Sequence, residues 1–323
     1  MNALRFQQFG GPEVLEVADA PRPVAAAGEV LVAIRAASIN PSDVKNVQGK
    51  MEGTTLPRTP GRDFAGIIVE GPADMLGMDV WGAGGDIGFT RDGSHAEYIA
   101  VPVEGVARKP ARLSYLEAAA CGVNFVTAWA GVATAAHLEA GETILVTGSA
   151  GGVGSSVIQL ARWMGARSIG IDRAIDDDAP AYLRPDVALA SGDDILEAVR
   201  RETGGRGVDV VYDTVGAPLF ETNLAALAQT GRYVIISSAG DRRTSFDILD
   251  FYHKRLTLIG VDTRALDTRA CAASLNRMRP GFESGVLRPP AIGGSVDILR
   301  AKDAYFVVSD GAKGKVVITA SAP

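Results

Sequence analysis

Residues 148–154, with the sequence GSAGGVG, have the composition of a turn that binds a dinucleotide. The apolar stretch ETILVT precedes them and a helical stretch follows, so the turn joins a strand to a helix. A helix N-terminus offers unpaired N–H groups and the positive end of a dipole, and glycines let a pyrophosphate approach the backbone closely. Asp172 ends the next predicted strand, at the distance of about 20 residues where an acidic side chain contacts a ribose. Together these features predict a dinucleotide site.

The elements that would position this turn are short apolar strands that alternate with helical stretches. The strands are predicted at 142–148, 167–172, 186–190, 207–214, 231–238 and 256–262. The intervening stretches SSVIQLARWMG, ILEAVRRETG and FETNLAALAQTG have helical character. Because strands that alternate with helices form a parallel sheet covered on both faces, this part of the chain is predicted to be a doubly wound, six-stranded α/β domain.

The chain before about residue 115 has a different pattern. Runs such as EVLVAIRAASI (29–39) and HAEYIAVP (95–102) are interrupted by Gly and Pro, which is typical of a twisted antiparallel β-domain. The stretch KVVITA (315–320) returns to this β character, and no further strand–helix unit is predicted after about residue 280. We therefore predict an α/β protein with one β-rich domain, residues 1–115 and 280–323, and one dinucleotide-binding domain, residues 116–279.

Composition and charge limit the classes of function. The chain of 323 residues is 47% hydrophobic and 22% charged, with a formal net charge of −6 and scattered Lys and Arg, which argues against nucleic-acid or membrane-surface binding. Only Cys121 and Cys271 are present, so a disulfide framework is excluded and a cytoplasmic location is expected, with no export signal at the N-terminus. The uncharged run 118–136 consists largely of Ala and Gly and is predicted to be a buried helix rather than a membrane span.

Residues 147–154 also fit the TGxxxGxG pattern of short-chain dehydrogenases. That family places the pattern at its N-terminus and uses a tyrosine followed four residues later by a lysine. No tyrosine of this chain has a lysine at that spacing, and the glycine turn comes late. The short-chain family is therefore not favoured.

A different resemblance covers nearly the whole chain. The segments GGPEVLEV (10–17), NPSDVKNVQGKM (40–51), GSHAEYIAVP (93–102), VDVVYDTVG (208–216) and GKVVI (314–318) occur in this order around the glycine turn. In this order they resemble the zinc-free quinone oxidoreductases of the medium-chain dehydrogenase/reductase superfamily. The resemblance implies a GroES-like, β-rich catalytic domain that comes first and a Rossmann domain inserted after it, which explains the late glycine turn.

The resemblance also bears on zinc. In the alcohol dehydrogenase branch of the superfamily, a Cys, a His and a second Cys bind a catalytic zinc ion. This chain has Asn40 at the first of these positions, Arg62 at the second, and Cys121 near the third. A single thiol cannot hold the ion, so we predict that no metal is bound.

The chemistry implied by the resemblance is hydride transfer from NAD(P)H to a quinone or an α,β-unsaturated carbonyl without zinc. Such a site needs hydrogen-bond donors for the oxygen that gains charge. Asn40, Lys45 and Ser42 are the candidates for this role, and Asp43 is expected to orient the loop. Two alternatives stay open at this point: Asn40 could be only a cap before Pro41, and Lys45 only a surface charge.

Two other functions are possible within the superfamily. Enoyl-thioester reductases carry a tyrosine where this chain has Met51, which disfavours but does not exclude that activity. A non-enzymatic redox sensor that binds the cofactor is the third alternative. Met51, Phe64, Phe89 and Phe125 are expected to line an apolar substrate pocket.

The predicted cofactor-binding residues lie at strand ends and in the glycine turn. They are Thr127, Gly148, Ser149, Ala150, Gly151, Gly152, Val153, Asp172, Arg173, Thr214, Val215, Gly216, Ser237, Ser238, Gly260, Val261 and Lys315. Asp172 should accept a hydrogen bond from a ribose hydroxyl and repel a 2′-phosphate, which favours NADH slightly, whereas family habit favours NADPH. The apolar sixth strand, LTLIGVD (256–262), is expected at a sheet edge, so we predict a homodimer.

Overall fold

The computed structural model describes residues 1–320 apart from Ala239 and Asp241. The chain forms two compact units. The first unit contains Met1–Val126, Thr263–Gly285 and the residues from Pro289 onward, and the second contains Thr127–Asp262 and Val286–Arg288. The domain limits given above, 1–115 with 280–323 and 116–279, stay a prediction.

The N-terminal part of the first unit consists mainly of strands. They are β1 Asn2–Arg5, β2 Glu16–Asp19, β3 Glu29–Ile39, β4 Phe64–Glu70, β5 Asp79–Gly82, β6 Tyr98–Pro102 and β7 Ala107–Arg108. Two helices accompany them, α1 Pro41–Val47 and α2 Tyr115–Trp129; the last turn of α2, from Thr127, and its π-helical extension, Ala130–Ala135, belong to the second unit. β3 is buried along most of its length because it pairs with β4 and β6 and lies in the middle of the sheet.

The second unit contains all six predicted strands of the parallel sheet. In chain order its elements are β8 Thr143–Thr147, α3 Gly152–Met164, β9 Arg167–Asp172, β10 Val187–Ala190, α4 Ile195–Glu202, β11 Val208–Asp213, α5 Phe220–Ala225, β12 Leu227–Ile235, α6 Ile248–His253 and β13 Thr257–Gly260. The strand order is β10-β9-β8-β11-β12-β13, so the direction of winding reverses beside β8. The carboxyl ends of strands at such a reversal form the usual ligand site of an open α/β sheet.

One helix of this sheet ends earlier than its sequence predicts. The stretch FETNLAALAQTG was expected to be helical throughout, but α5 ends at Ala225 and β12 begins at Leu227. Leu227 pairs with Val208 of β11 and its side chain is 2% exposed. Burial of this leucine in the core of the sheet decides the local structure.

The C-terminal part of the chain completes the first unit. It contains α7 Thr268–Ser284, β14 Ile292–Asp297, α8 Ala301–Ser309 and β15 Lys315–Thr319. β14 and β15 pair in parallel with α8 as their connection, so the expectation of no further strand–helix unit after residue 280 is wrong. The helix was missed because buried Ala301, Ala304 and Tyr305 give it only a short apolar face.

The seven-stranded sheet of the first unit has the order β14-β15-β3-β4-β5-β7, and β6 pairs with β3. β15 is antiparallel to β3, with Val316 opposite Ile39, so the start of β15 lies beside the end of β3. The continuous helix formed by α2 and its π-helical extension, Tyr115–Ala135, is long and apolar enough to cross a membrane, but 72% of its apolar 18-residue stretch is buried inside the protein. The run 118–136 is therefore a buried helix, as its composition predicts.

Candidate active-site residues

The end of β3 leads directly into a buried hydrogen-bonded turn around Asn40. Pro41 opens α1, and Asn40 precedes it in an extended conformation. The backbone N–H of Asn40 donates to Oδ2 of Asp43 at 2.7 Å, and its side-chain Nδ2 donates to the same oxygen at 3.2 Å. Both side chains are almost completely buried, at 2% and 1% exposure. Asp43 therefore fixes the conformation of this turn.

A second carboxylate, that of Asp63, meets Asn40 from the loop before β4. Its Oδ2 accepts from Asn40 Nδ2 at 2.9 Å and from Ser38 Oγ at 3.0 Å, and its Oδ1 accepts from the backbone N–H of Val123 in α2 at 2.8 Å. The Asp63 side chain is fully buried, and burial raises the pKa of its carboxyl although the charge of Lys315 acts in the opposite direction. The contact with α2 depends on Gly122, because a Cβ there would overlap the carboxylate.

Lys315 is the first residue of β15 and reaches the same group of side chains. The pairing of Val316 with Ile39 brings it beside Asn40, and its Nζ donates to Asn40 Oδ1. The side chain of Lys315 is 7% exposed. Burial lowers the pKa of its ammonium group, and the neighbouring charges of Asp63 and Asp43 counteract this shift.

Arg62 supplies the second positive charge. Its Nε lies 3.5 Å from Oδ1 of Asp43, and its guanidinium donates to Ser42 Oγ and lies 5.9 Å from the ring centre of Phe89. We name Asn40, Asp43, Arg62, Asp63 and Lys315 the Asn40 cluster. It contains two basic and two acidic side chains around one amide, so its charges can balance without a bound ion.

The donor set of the Asn40 cluster does not fit a zinc ion. Zinc sites use thiolates, imidazoles and carboxylates. Here the first predicted ligand position holds the amide of Asn40, which contacts the ammonium group of Lys315, and the second holds the guanidinium of Arg62. Cys121 is fully buried, and burial raises the pKa of its thiol well above the usual value. Over the described part of the chain, no group of three or more His, Cys, Asp or Glu side chains is arranged to hold a metal.

His95 belongs to the core beside this cluster. Its Nδ1 accepts from the hydroxyl of Tyr305 at 2.9 Å, and its Nε2 lies 3.2 Å from the carbonyl oxygen of Ser38. Burial raises the pKa of Tyr305 and lowers that of His95, so the phenol stays protonated and the imidazole neutral. Because a carbonyl only accepts, Nε2 carries the proton.

The structure corrects several predictions for the first unit. Asn40 was expected to donate to a substrate oxygen, but both of its amide hydrogens are used by Asp43 and Asp63. Lys45 is exposed on α1 and lies outside the cluster, as its surface-charge alternative implies. Phe64 and Phe125 do not line a pocket, because both are fully buried in the core.

In the second unit, the glycine turn connects β8 to α3. Gly148 has a φ of +68°, and a Cβ at Gly154 would overlap the carbonyl oxygen of Gly148. The first backbone bond of the helix runs from Ser155 N to Gly151 O at 2.9 Å. The N–H groups of Gly152 and Val153 therefore point out of the helix end, where they can bind an anionic pyrophosphate.

Asp172 closes this turn from the end of β9. Its Oδ2 accepts from Ala150 N and its Oδ1 from Arg173 N, both at 2.8 Å. The half-buried carboxylate of Asp172 therefore lies beside the glycine turn. A coenzyme ribose bound there would meet a hydrogen-bond acceptor with negative charge.

The neighbouring strand end is shaped by Asp213, a residue that the sequence did not mark as functional. Its Oδ1 accepts from the side chain of Thr147 and from Val215 N and Gly216 N at 2.8 and 2.9 Å. Its Oδ2 accepts from Tyr233 Oη at 2.7 Å. Asp213 is fully buried, so it holds the predicted cofactor loop 214–216 rather than contacting a ligand itself.

The remaining predicted cofactor residues lie in α2 and at or just after the ends of β12 and β13. Ser237 and Ser238 follow β12, and Gly260 ends β13. The N–H of Val261 donates to Ile235 O at 2.9 Å. Thr127 is 7% exposed, and its carbonyl accepts from Tyr212 Oη at 2.8 Å.

Two family models match the chain. The alcohol dehydrogenase GroES-like domain matches residues 26–111, and the zinc-binding dehydrogenase domain matches residues 152–277. A zinc-type alcohol dehydrogenase-like protein of Schizosaccharomyces pombe is 35% identical over 88% of this chain and 86% of its own length. The quinone oxidoreductase of Lama guanicoe is 30% identical over 98% of this chain and 97% of its own.

Solved structures agree with these relatives. An NAD-dependent alcohol dehydrogenase superposes with a TM-score of 0.86 at 30% identity and covers 99% of both chains. A mycobacterial protein solved as a complex with NADPH superposes with a TM-score of 0.83 at 26% identity, over 99% of this chain and 100% of its own. The chain therefore belongs to the medium-chain dehydrogenase/reductase superfamily and is an oxidoreductase of its quinone oxidoreductase-like branch, with a GroES-like and a Rossmann domain.

Proposed function

We propose that this oxidoreductase reduces a quinone or an α,β-unsaturated carbonyl with NAD(P)H and without zinc. The observation that carries the proposal is the Asn40 cluster, where Asn40 and Arg62 replace two zinc ligands and are held by Asp43 and Asp63. In the zinc-dependent branch of the superfamily a Lewis acid stabilises the oxygen anion of an alcohol during oxidation, whereas a conjugated carbonyl spreads the incoming electrons. A site of this kind suits a conjugated acceptor.

The glycine turn fits a nicotinamide coenzyme, which supplies the hydride when it is bound. The N–H groups of Gly152 and Val153 would hold its pyrophosphate, and the loop 214–216 lies at the end of the adjacent strand β11. Asp172 would accept a hydrogen bond from a ribose hydroxyl. The protein thus binds and orients the coenzyme largely through backbone groups.

The test is an acceptor panel with purified protein. 9,10-Phenanthrenequinone, a simple enone, an enoyl thioester and a primary alcohol are compared for coenzyme oxidation or reduction. We expect turnover with the first two and none with the alcohol. Preference for the thioester would favour enoyl-thioester reduction instead, and a protein that binds coenzyme but reduces no acceptor would be a redox sensor.

Zinc independence is tested on the same preparation by elemental analysis and by dialysis against a chelator. We expect less than stoichiometric zinc and unchanged turnover after dialysis. Stoichiometric zinc whose removal abolishes turnover would contradict the proposal.

For the coenzyme, Asp172 supports a preference for NADH because its carboxylate would repel a 2′-phosphate at the glycine turn. The mycobacterial structure was solved with NADPH, and another structural neighbour is named an NAD-dependent alcohol dehydrogenase, so the superfamily accommodates both coenzymes. Initial rates with NADH and NADPH compare the two directly. Replacement of Asp172 by Ser should shift the ratio toward NADPH, and no shift would refute this role of the carboxylate.

We also propose a cytoplasmic homodimer that pairs through β13. This strand is the last of the parallel sheet, and α6, which precedes it in the chain, exposes Ile248, Leu249 and Tyr252 by 70%, 55% and 56%. An apolar surface beside an unpaired strand edge favours association with a second copy. Light scattering at micromolar concentration should give twice the mass of the chain, and a monomeric mass would contradict the dimer.

A further inference from the structure

Two donors of the Asn40 cluster use only part of their hydrogen-bonding capacity, Arg62 and Lys315, and of these only the ammonium of Lys315 can release a proton in the accessible pH range. A lysine ammonium has three N–H groups. Within the part of the chain that the structure describes, Nζ of Lys315 makes one hydrogen bond, to Oδ1 of Asn40. With 7% of its surface exposed, Lys315 is also the most accessible of the four side chains that surround Asn40, since Asp43, Arg62 and Asp63 are 1%, 5% and 0% exposed.

Asn40 itself cannot take the role of donor. Both hydrogens on its Nδ2 are directed at carboxylate oxygens, one of Asp43 and one of Asp63. A substrate oxygen would have to displace a charge-assisted bond inside a buried cluster, which costs more than the new bond returns. Asn40 therefore positions Lys315 by accepting its hydrogen bond.

We propose that Lys315 is the proton donor of the reductase and transfers a proton from Nζ to the oxygen of the conjugated acceptor. This inference rests on the proposed function. For an enone, hydride from the coenzyme forms a C–H bond at the β-carbon while the C=C π pair shifts to the bond between the α-carbon and the carbonyl carbon, and the coenzyme is oxidised as the enone is reduced. The carbonyl π-electron pair moves to oxygen, the Nζ–H bond breaks and an O–H bond forms. The enol then rearranges to the ketone, and the neutral amine regains a proton from water.

The surroundings of Lys315 suit a proton donor. Burial brings the pKa of its ammonium below the usual value for lysine, and an acid works best when its pKa lies near the working pH. The carboxylates of Asp63 and Asp43 limit the shift, whereas the guanidinium of Arg62 and the buried thiol of Cys121 also lie close enough to act on it. After Lys315 loses its proton, Arg62 still balances part of the negative charge.

The chain offers two lysines for comparison. Lys45, the other lysine proposed for catalysis, is exposed on α1. Lys313 is exposed two residues before Lys315. Lys315 differs from both because the pairing of β15 with β3 places it against Asn40 inside the protein.

The experiment compares Lys315→Met and Lys315→Arg with Lys313→Met as the matched control. Methionine keeps the length of the side chain without its charge, and arginine keeps the charge but does not release a proton in the accessible pH range. We expect kcat to fall by about 100-fold or more in both Lys315 variants, as for loss of a general acid. The dissociation constant for the coenzyme, measured by fluorescence titration, should stay within about twofold, and Lys313→Met should behave as wild type.

The pH profile gives an independent readout. The proton donor must be protonated, so wild-type kcat should fall as the pH rises through the pKa of Lys315, and this alkaline limb should be absent in both variants. Wild-type kcat in Lys315→Arg would overturn the inference, because charge alone would then suffice. The inference would also be overturned if the Lys315 variants bound the coenzyme more weakly but reached wild-type kcat at saturating coenzyme. Lys315 would then be a cofactor-binding residue, as the sequence predicts.

A measurement on the wild type covers the case in which the variants do not fold. Ionisation of an ammonium group has a large enthalpy and that of a carboxyl group nearly none, so the alkaline limb should move strongly to lower pH on warming. A limb that stays fixed, or no limb, would overturn the assignment. Failure of the proposed function has a different signature, since the wild-type protein would then reduce no conjugated acceptor at any pH.

Discussion

The two units present their polar groups by different means. In the second unit, the proposed anion site consists of backbone N–H groups at the start of α3, and glycines remove the side chains that would block it. In the first unit, five side chains from three separate segments of the chain meet in the buried Asn40 cluster. A backbone site is specified by a few consecutive residues, whereas a side-chain cluster requires the correct pairing of distant strands. Substitutions should therefore affect the two regions differently.

The largest effect is expected for Gly154→Ala. The added Cβ would overlap the carbonyl oxygen of Gly148, so the turn must move away from the geometry that receives a pyrophosphate. Fluorescence titration should show coenzyme binding weakened by about 100-fold or more, a loss of about 2.7 kcal/mol. Gly192→Ala is the control, because a Cβ there meets nothing within 4 Å. Coenzyme affinity equal to wild type in Gly154→Ala would contradict the assignment of the turn.

Gly122→Ala is the corresponding change in the first unit. Its Cβ would overlap the carboxylate of Asp63 and displace it from Val123 N, so we expect a loss of about 1–3 kcal/mol in the free energy of unfolding. Urea denaturation measures this loss. Coenzyme affinity should stay near the wild-type value, since the glycine turn is untouched. The control is Gly294→Ala, where the Cβ would occupy open space. If Gly122→Ala instead lost coenzyme binding, the two regions would not be separable in this way.

His95 should contribute a pH dependence that belongs to the first unit alone. Its folded-state pKa lies below the value of the unfolded chain, so the unfolded state binds more protons as the pH falls below about 6.5. Stability is therefore lost as the pH falls through this window, by at most about 1.4 kcal/mol per pH unit for one proton. Gln at position 95 can donate to Ser38 O and accept from Tyr305, so His95→Gln should flatten this part of the stability profile. An unchanged slope would contradict a neutral, buried imidazole.

The smallest effect is expected for Lys45→Met. This side chain is exposed and lies outside the Asn40 cluster, so the free energy of unfolding should change by no more than about 0.5 kcal/mol. Turnover should remain within about twofold of wild type. A large loss of kcat would contradict Lys315 as the proton donor and assign that role to Lys45.

Sequence reasoning was most successful where chemistry depends on consecutive residues. Residues 148–154 and Asp172 were recognised because a strand, a glycine turn and a helix follow one another within a short segment. All six strands of the parallel sheet were located for the same reason. The helix α8 was missed because its apolar face is short, and Leu227 was assigned to a helix because its tertiary burial is not visible in the local pattern.

The Asn40 cluster shows the limit of such reasoning. The sequence identified Asn40 and Asp43 as candidates three residues apart. It predicted that the Asn40 amide donates to a substrate oxygen, whereas in the structure this amide donates to Asp43 and Asp63. Asp63 was overlooked, although it directly follows Arg62 at a predicted ligand position, and Asp213 was treated only as a strand end. A buried carboxylate becomes recognisable when the donors around it are known, and those donors come from other elements.

The sequence by itself determined the order of the elements, the glycine turn and the acidic residue beside it, because these depend on local geometry and on hydrophobic periodicity. The tertiary structure decided which polar side chains remain available for chemistry. The antiparallel pairing of β15 with β3 brings Lys315 to Asn40 across 275 positions of sequence, and burial then changes the acidity of the groups that meet there. Hydrogen bonding and desolvation act through space, so their outcome follows from the packed fold.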